Sequence, residues 1–332
     1  MDVDYLVIGG GAAGCTLGWH LRQAGTRVLV IELRDAQSKD KLCGGIFGMA
    51  SLAELAASFG KDALDELDLM YPPRHRYRCL GRESVSNCAY ATVVRKRLDD
   101  WLLSRYIGAG GVLHDRMRVL SFDQEAHVVS CKDLRTGARR EVSYGALIGA
   151  DGALSVVRRL ATGRSQASVM ALEGAVRTTR EDIVFSYDPK KRGYCWYIPS
   201  VADANVGCMS YGDDVSTCRA WLLSFCEDMG IAMPALKGAA IPTGEDICLR
   251  AGEHTYLVGD AAGLTSPIDG GGIHFALASG RLLATSLLGG HPYEEAMDPI
   301  VKSLTAKAAK RDETYLRTCL FIAIKGSAIQ SA

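Results

Sequence analysis

The stretch that decides the fold is Asp4-Tyr5-Leu6-Val7-Ile8-Gly9-Gly10-Gly11-Ala12-Ala13-Gly14. Its first half is a short apolar run typical of a buried strand, and its second half is a G-x-G-x-x-G turn. Gly9 permits the tight turn, Gly11 lets the backbone approach a pyrophosphate, and Gly14 lets the next helix pack closely on the strand. That helix starts at Ala12 and Ala13 and presents free N–H groups to the phosphates. The stretch therefore predicts a dinucleotide-binding βαβ unit.

An acidic residue completes this unit. The pattern predicts a helix over Ala12–Ala24, a stop at Gly25 and a second strand over Thr26–Ile31, which Glu32 follows directly. An acid at this point accepts hydrogen bonds from the ribose hydroxyls of an adenosine. Arg34 is a further candidate for contact with the cofactor. These features fit FAD and NAD equally well.

Two later turns favour FAD over NAD. Both follow a buried strand and open a helix: Gly149–Arg158, and Gly259-Asp260 with the glycines that come after it. An Asp at the end of a strand can accept hydrogen bonds from a polyol, and a helix N-terminus can face an electron-rich ring. NAD has no ribityl chain and needs no such third element. The candidate cofactor residues in these turns are Asp151, Gly152, Asp260, Gly270, Gly271, Gly272 and Ile273.

The order of strand signals predicts a discontinuous domain. Parallel-sheet patterns occur at residues 4–31, 146–150 and 256–260, and antiparallel patterns lie between them. We therefore expect an α/β fold, with a discontinuous Rossmann-like FAD-binding domain, an inserted antiparallel β-rich substrate domain and C-terminal helices. The predicted boundaries are residues 1–70, 95–165 and 250–290 for the FAD-binding domain, 71–94 and 166–249 for the substrate domain, and 291–332 for the helical segment.

The composition excludes several other classes of protein. Lys and Arg together number 38, as do Asp and Glu, so no net charge attracts nucleic acid or an anionic membrane. The N-terminus enters a strand without a basic signal region, which indicates the cytoplasm. The longest apolar runs are too short to span a bilayer. The apolar stretch Leu316–Ile324 has two interpretations, burial in the fold or transient contact with a membrane surface.

The eleven cysteines do not form a recognisable framework. Their odd number and the absence of any CxxC pair argue against a disulfide scaffold, structural zinc or an iron–sulfur cluster. We expect no metal site and mostly buried thiols. Cys43 is the exception because it precedes Gly44-Gly45. It is either a catalytic thiol that faces the redox centre or the substrate, for example as a proton donor, or simply a small residue where the backbone passes close to a ring.

These motifs together resemble a known superfamily. The first turn with Glu32, the G-A-D-G-x-x-S-x-x-R run at 149–158 and Gly259-Asp260 resemble flavoproteins of the para-hydroxybenzoate-hydroxylase type. Within it, Lys41-Leu42-Cys43-Gly44-Gly45 resembles the K-x-C-G-G segment of the geranylgeranyl reductase family. Gly193–Pro199 resembles that family's Y-x-W-x-F-P stretch, with Ile198 in place of Phe. The resemblance covers about residues 3–290.

The resemblance implies roles for individual residues. Arg95 matches an arginine near the FAD phosphates, although Leu98 replaces the aromatic residue of that motif. Asp260 would contact the phosphate or ribityl region, and Gly272 with Ile273 would contact the isoalloxazine edge. The segment Cys43-Gly44-Gly45 would lie beside the flavin ring. The resemblance also places Tyr194 and Trp196 on the wall of a substrate cavity.

The function that this resemblance favours is reduction of a carbon–carbon double bond by hydride from reduced flavin, on a small apolar substrate for which the family suggests isoprenoids. One alternative is an oxygen-using monooxygenase or halogenase. Trp196-x-Ile198-Pro199 partly matches the W-x-W-x-I-P stretch of halogenases, but Tyr194 occupies the first Trp position. The other alternative is a non-catalytic flavin-binding redox protein. Since the sequence has no second glycine fingerprint, the predicted electron donor is transiently docked NAD(P)H or an external carrier.

Overall fold

The structure, a computed structural model, describes residues 2–329, so Met1 and residues 330–332 of the predicted C-terminal segment lie outside the described residues. The strands are β1 (Asp2–Ile8), β2 (Val28–Ile31), β3 (Ile46–Phe47), β4 (Arg74–Cys79), β5 (Arg82–Asn87), β6 (Ala91–Thr92), β7 (Val112–His114), β8 (Met117–Asp123), β9 (Val128–Asp133), β10 (Arg139–Gly149), β11 (Ser168–Val176), β12 (Ile183–Asp188), β13 (Gly193–Pro199), β14 (Ala204–Ser210), β15 (Lys237–Pro242), β16 (Arg250–Gly252), β17 (Thr255–Leu257) and β18 (Ser327–Ala328). The α-helices are α1 (Ala12–Gln23), α2 (Met49–Phe59), α3 (Arg95–Gly108), α4 (Val156–Thr162), α5 (Val215–Met229), α6 (Ile273–Leu287), α7 (Tyr293–Ala309) and α8 (Arg311–Lys325), and short 3₁₀ helices cover Lys61–Leu67 and Gly259–Ala262.

The first sheet brings the three predicted turns together. Its order is β16-β17-β10-β1-β2-β7, and β17, β10, β1, β2 and β7 run parallel. The carboxyl halves of β1 and β10 and all of β2 are apolar and buried, as parallel strands covered on both faces must be. In the register, Ile8 lies opposite Gly149 and Gly149 lies opposite Leu257. The three turns therefore leave adjacent strands at the same level, at the carboxyl edge where ligands bind in such sheets.

The second sheet has two faces with different partners. Its order is β15-β11-β14-β13-β12-β4-β5-β18, and it is mostly antiparallel. One face carries Cys195, Tyr197 and Cys208, which pack with Leu222 and Phe225 of α5. The other face carries a separate apolar cluster that includes Tyr194, Trp196, Ile198, Met209 and Ile46. The predicted fold class is confirmed, while the exact domain boundaries stay a prediction.

The C-terminal helix α8 is buried on one side only. Tyr315, Cys319 and Ile322 pack with Cys79 of β4. Leu316, Leu320, Phe321 and Ile324 are exposed on the other side. Burial therefore accounts for only part of the apolar stretch 316–324. Within residues 2–329, no helix has the length and apolar character needed to cross a bilayer.

Candidate functional site

The first glycine turn holds its shape through two of its three motif glycines. Gly9 has φ +109°, and a Cβ there would lie 2.3 Å from the carbonyl oxygen of Ala150. A Cβ on Gly14 would lie 2.0 Å from the carbonyl oxygen of Gly9. Gly11, which caps α1, has φ −86°, and a Cβ there would meet no atom within 4 Å. Gly9 and Gly14 are therefore needed by the fold, whereas Gly11 leaves the N-terminus of α1 open, as a bound diphosphate requires.

Glu32 is tied to this turn. Its Oε2 accepts a hydrogen bond from the backbone N–H of Gly10 at 3.0 Å, and its Oε1 accepts one from the backbone N–H of Arg34 at 2.9 Å. The Nζ of Lys39 donates to Oε2 at 3.1 Å and to the carbonyl oxygen of Gly10 at 2.6 Å. The guanidinium of Arg34 reaches outward, to the carbonyl oxygen of Asp40. Sequence reasoning missed Lys39, because nothing distinguishes it locally from any other loop lysine.

The second turn uses its aspartate as a helix cap. The Oδ2 of Asp151 accepts hydrogen bonds from the N–H groups of Val156 at 2.7 Å and Val157 at 3.1 Å, and its Oδ1 accepts one from the hydroxyl of Ser155. Burial raises the pKa of Asp151, and these hydrogen bonds oppose that shift. Gly152 has φ +80°, a backbone conformation suited to glycine. The structure thus commits both oxygens of Asp151 to α4, and its contact with a polyol stays a prediction.

Arg158 joins the second turn to the third. Its Nη1 donates to the Oε1 of Gln166 at 3.0 Å, to the carbonyl oxygen of Asp246 at 3.0 Å and to that of Ala261 at 3.5 Å. Its Nη2 lies 2.7 Å from the Oδ2 of Asp246. Gln166 in turn donates to the carbonyl oxygen of Asp260 at 2.6 Å. The buried Arg158 therefore links the second turn to the third turn through these hydrogen bonds. Sequence reasoning missed its partner Gln166.

The third turn faces the K-x-C-G-G segment through Asp260. The Nζ of Lys41 lies 2.8 Å from the Oδ2 of Asp260. Burial alone would raise the pKa of Asp260, but Lys41, with Arg95 in support, lowers it overall, so the side chain is a carboxylate. Gly272 lies against the same group, since a Cβ there would be 2.9 Å from its Oδ1. Gly272 leads directly into Ile273 and α6. Lys41 is therefore an ion-pair partner of the third turn.

The glycines before α6 form a turn that reaches the second sheet. Gly270 has φ +68°, and a Cβ there would lie 3.4 Å from the sulfur of Met209. The N–H of Gly271 donates to Oδ1 of Asp269 at 3.0 Å. The carbonyl oxygen of Asp269 accepts a hydrogen bond from the hydroxyl of Tyr194. The turn into α6 is thus fastened to β13.

The segment Cys43-Gly44-Gly45 lies between the chain just before α3 and β13 of the second sheet. Gly45 has φ +68°, and a Cβ there would lie 2.0 Å from the carbonyl oxygen of Val93, just before α3. On the other side, a Cβ on Gly44 would lie 2.4 Å from the Cδ1 of Ile198. Both positions therefore require glycine for close packing.

Arg95 lies beside this segment. Its Nη2 is 2.9 Å from the Oδ1 of Asp99, and both side chains are buried. Burial alone would lower the pKa of Arg95, but Asp99 and the neighbouring Cys43 raise it overall. Arg95 is thus a permanently charged group beside the Cys43 side chain. Its contact with FAD phosphates stays a prediction.

Tyr194 and Trp196 share the face of the second sheet that is turned toward Gly44. Both are buried, and the Nε1 of Trp196 donates to the Oδ1 of Asn205 at 2.6 Å. Sequence reasoning missed Asn205 and also Glu173, which lies on the same face. An acid inside the apolar run of β11 was the available signal for Glu173. The role of Tyr194 and Trp196 in substrate binding stays a prediction.

Comparison with known proteins identifies the family. A family model described as an FAD binding domain matches residues 2–230. The chain is 28% identical to a geranylgeranyl diphosphate reductase of Rhodobacter capsulatus over 313 residues, which cover 87% of this chain and 75% of the relative. Among solved structures, a geranylgeranyl bacteriochlorophyll reductase-like protein of Thermoplasma acidophilum superposes with a TM-score of 0.82 at 19% identity. The superposition covers 100% of this chain and 93% of the Thermoplasma chain.

An FAD-dependent halogenase shares the fold as well. The myxobacterial chondrochloren halogenase has a TM-score of 0.72 at 19% identity, covering 98% of this chain and 83% of its own. At that identity the likeness concerns the fold alone. The open N-terminus of α1 and the acid beside it fit FAD, and the predicted resemblance to geranylgeranyl reductases is confirmed. The chain therefore belongs to the FAD binding domain family and is an FAD-dependent oxidoreductase.

Proposed function

We propose that this oxidoreductase reduces a carbon–carbon double bond of an apolar substrate of the isoprenoid class. The observation that carries the proposal is the contact between Gly44 and Ile198, which sets the K-x-C-G-G segment against the apolar face of β13. A substrate held on that face would lie between the aromatic side chains and the cofactor. Bound FAD would supply the hydride, and the protein would bind, orient and exclude water.

The side chains of this face suit an alkene better than a polar substrate. Ala171, Ile198 and Met209 are apolar and buried, and the polar atoms of Tyr194 and Trp196 are already used in hydrogen bonds to protein. Few of the hydrogen-bonding groups of a polar ligand would find a partner among these side chains. The Rhodobacter capsulatus relative is, by its name, a reductase of geranylgeranyl diphosphate, which supports the isoprenoid class. For the electron donor, we propose transiently docked NAD(P)H or an external carrier.

An anaerobic single-turnover experiment tests the function. The flavin is reduced with dithionite, geranylgeranyl diphosphate is added, and flavin absorbance is followed together with product mass. We expect reoxidation of the flavin and a product heavier by two hydrogens for each double bond reduced. In a second vessel the reduced protein receives geranylgeranyl diphosphate together with air and halide. Oxygen or halogen in the product, or a long-lived oxygen adduct, would contradict the reductase and favour the monooxygenase or halogenase.

A Cys43→Ser variant tests whether the thiol faces the cofactor. Because Cys43 lies beside Arg95 and next to the closely packed glycines, we propose that the thiol lies at the flavin ring. We expect the variant to keep its FAD and to reduce the alkene more slowly, on the order of tenfold or about 1.4 kcal/mol in the barrier. The control is Cys131→Ser, whose buried thiol donates to the carbonyl oxygen of Arg140 in the distant β8–β9–β10 meander. Unchanged turnover in Cys43→Ser would contradict this role, and the small size of the residue would then be what matters at position 43.

A further inference from the structure

Glu173 is an acid in an otherwise apolar strand. Strand β11 reads Ser-Val-Met-Ala-Leu-Glu-Gly-Ala-Val from residue 168 to 176, and Glu173 is only 3% exposed. Its Oε1 is buried without a hydrogen-bond partner among residues 2–329. A buried carboxylate without full pairing is costly, so an apolar residue would stabilise the sheet better at this point. The position of Glu173 therefore calls for a functional explanation.

The register places Glu173 in one row with Trp196. Glu173 of β11 lies opposite Gly207 of β14, and Gly207 lies opposite Trp196 of β13. Residues directly opposite each other project to the same face of a sheet. A Cβ on Gly207 would lie 2.3 Å from Cζ2 of Trp196, so the indole ring extends across Gly207 in the direction of Glu173. The carboxyl group thus belongs to the face proposed to hold the substrate.

Asn205 connects this row to the cofactor side. Its Oδ1 accepts from Trp196, and its side chain lies close enough to Glu173 to oppose the rise in the pKa of that carboxyl group. The same Oδ1 lies 3.9 Å from the place of a Cβ on Gly44. The carboxyl group of Glu173 is therefore one side chain removed from the K-x-C-G-G segment.

Burial lets Glu173 hold and release a proton near neutral pH. It raises the pKa of Glu173 to about 7, although Asn205 and the positive charges of Arg95 and Lys41 oppose the shift and Asp40 adds to it. Lys237, opposite Glu173 on β15, is exposed and pairs with Asp40 at 3.5 Å. An acid with a pKa close to the working pH is suited to proton transfer.

We propose that Glu173 supplies the proton that completes reduction of the double bond, an inference that rests on the proposed function. One alkene carbon receives a hydride, with its electron pair, from reduced FAD, which is thereby oxidised. The π electrons of the alkene form the second C–H bond with the proton of Glu173, whose O–H bond breaks. The resulting carboxylate faces Arg95 and Lys41 and recovers its proton from water.

The test compares the rate of flavin reoxidation by geranylgeranyl diphosphate in Glu173→Gln, Glu173→Asp and the unchanged protein as a function of pH. In the unchanged protein the rate falls as pH rises through about 7, because only the neutral acid donates. Glutamine cannot donate an acidic proton, so we expect the rate of Glu173→Gln to be lower on the order of 10²-fold and to lack this fall with rising pH. Aspartate restores the fall with pH and part of the rate. The control, Glu181→Gln at an exposed position just before β12, behaves like the unchanged protein.

A second measurement does not depend on turnover. The infrared C=O band of a protonated carboxyl group is followed in the FAD-loaded protein without substrate. We expect a band that disappears as pH rises through about 7 and is missing from Glu173→Gln. If the unchanged protein reduces the alkene and Glu173→Gln matches its rate and pH profile, the proton role is wrong and the reductase stands. If the unchanged protein reduces no alkene, the proposed function fails and the proton role fails with it.

Discussion

Gly11→Ala is expected to fold normally and to bind FAD on the order of 10²-fold more weakly, which corresponds to about 2.7 kcal/mol. The added Cβ meets no atom of the protein within 4 Å, and the backbone of Gly11 has a conformation that alanine also adopts. The methyl group projects instead into the space before the N-terminus of α1, where the diphosphate would approach the backbone. Gly11→Ala should therefore lower the affinity for FAD without lowering the stability of the fold.

Gly14→Ala is the matched variant, in which both the stability of the fold and the affinity for FAD should fall. Its Cβ would lie 2.0 Å from the carbonyl oxygen of Gly9, so α1 must move away from β1. Overpacking of this kind costs about 1–3 kcal/mol, in addition to the loss of FAD. Apoprotein melting and FAD fluorescence titration measure the two effects. Gly108→Ala, at another open site, is the control. Tight FAD binding by Gly11→Ala would show that the diphosphate does not lie against Gly11.

Arg158→Met should be the most destabilising single change. The methionine fills the buried volume but removes the donors that join α4 to Gln166, Asp246 and Ala261. Breaking a fully buried ion pair costs about 3–5 kcal/mol, and the partial exposure of Asp246 reduces this to roughly 2–4 kcal/mol. FAD affinity should fall too, because Gln166 would lose the partner that positions it on the carbonyl oxygen of Asp260.

Chemical denaturation of the apoprotein and FAD titration test this expectation. Arg159→Met is the matched control, since Arg159 is the next residue of α4 but exposed, and its replacement should change stability by no more than about 0.5 kcal/mol. If Arg158→Met unfolded at the same denaturant concentration as Arg159→Met, the hydrogen bonds and ion pair of Arg158 would contribute nothing to the free energy of unfolding.

Much of the fold and part of the site could be predicted from local pattern. The requirement for glycine at positions 9 and 14 arises from atoms only a few residues away or on the adjacent strand, so the motif carries it directly. The strands before the three turns are recognisable as short apolar runs, because parallel strands are buried on both faces. Asp151 shows the limit, since the same motif residue that suits a polyol also suits the cap of α4.

The sequence by itself determined a dinucleotide-binding turn, because such a turn is a local structure with strict backbone demands. The two later turns and the resemblance to a known family then indicated FAD. The tertiary structure alone decided that Lys41 pairs with Asp260, that Arg158 braces the third turn, and that Glu173 shares a row with Trp196. These contacts join residues far apart in the chain. They depend on strand order and register, and a register shift of one residue would turn Glu173 to the α5 side of the sheet.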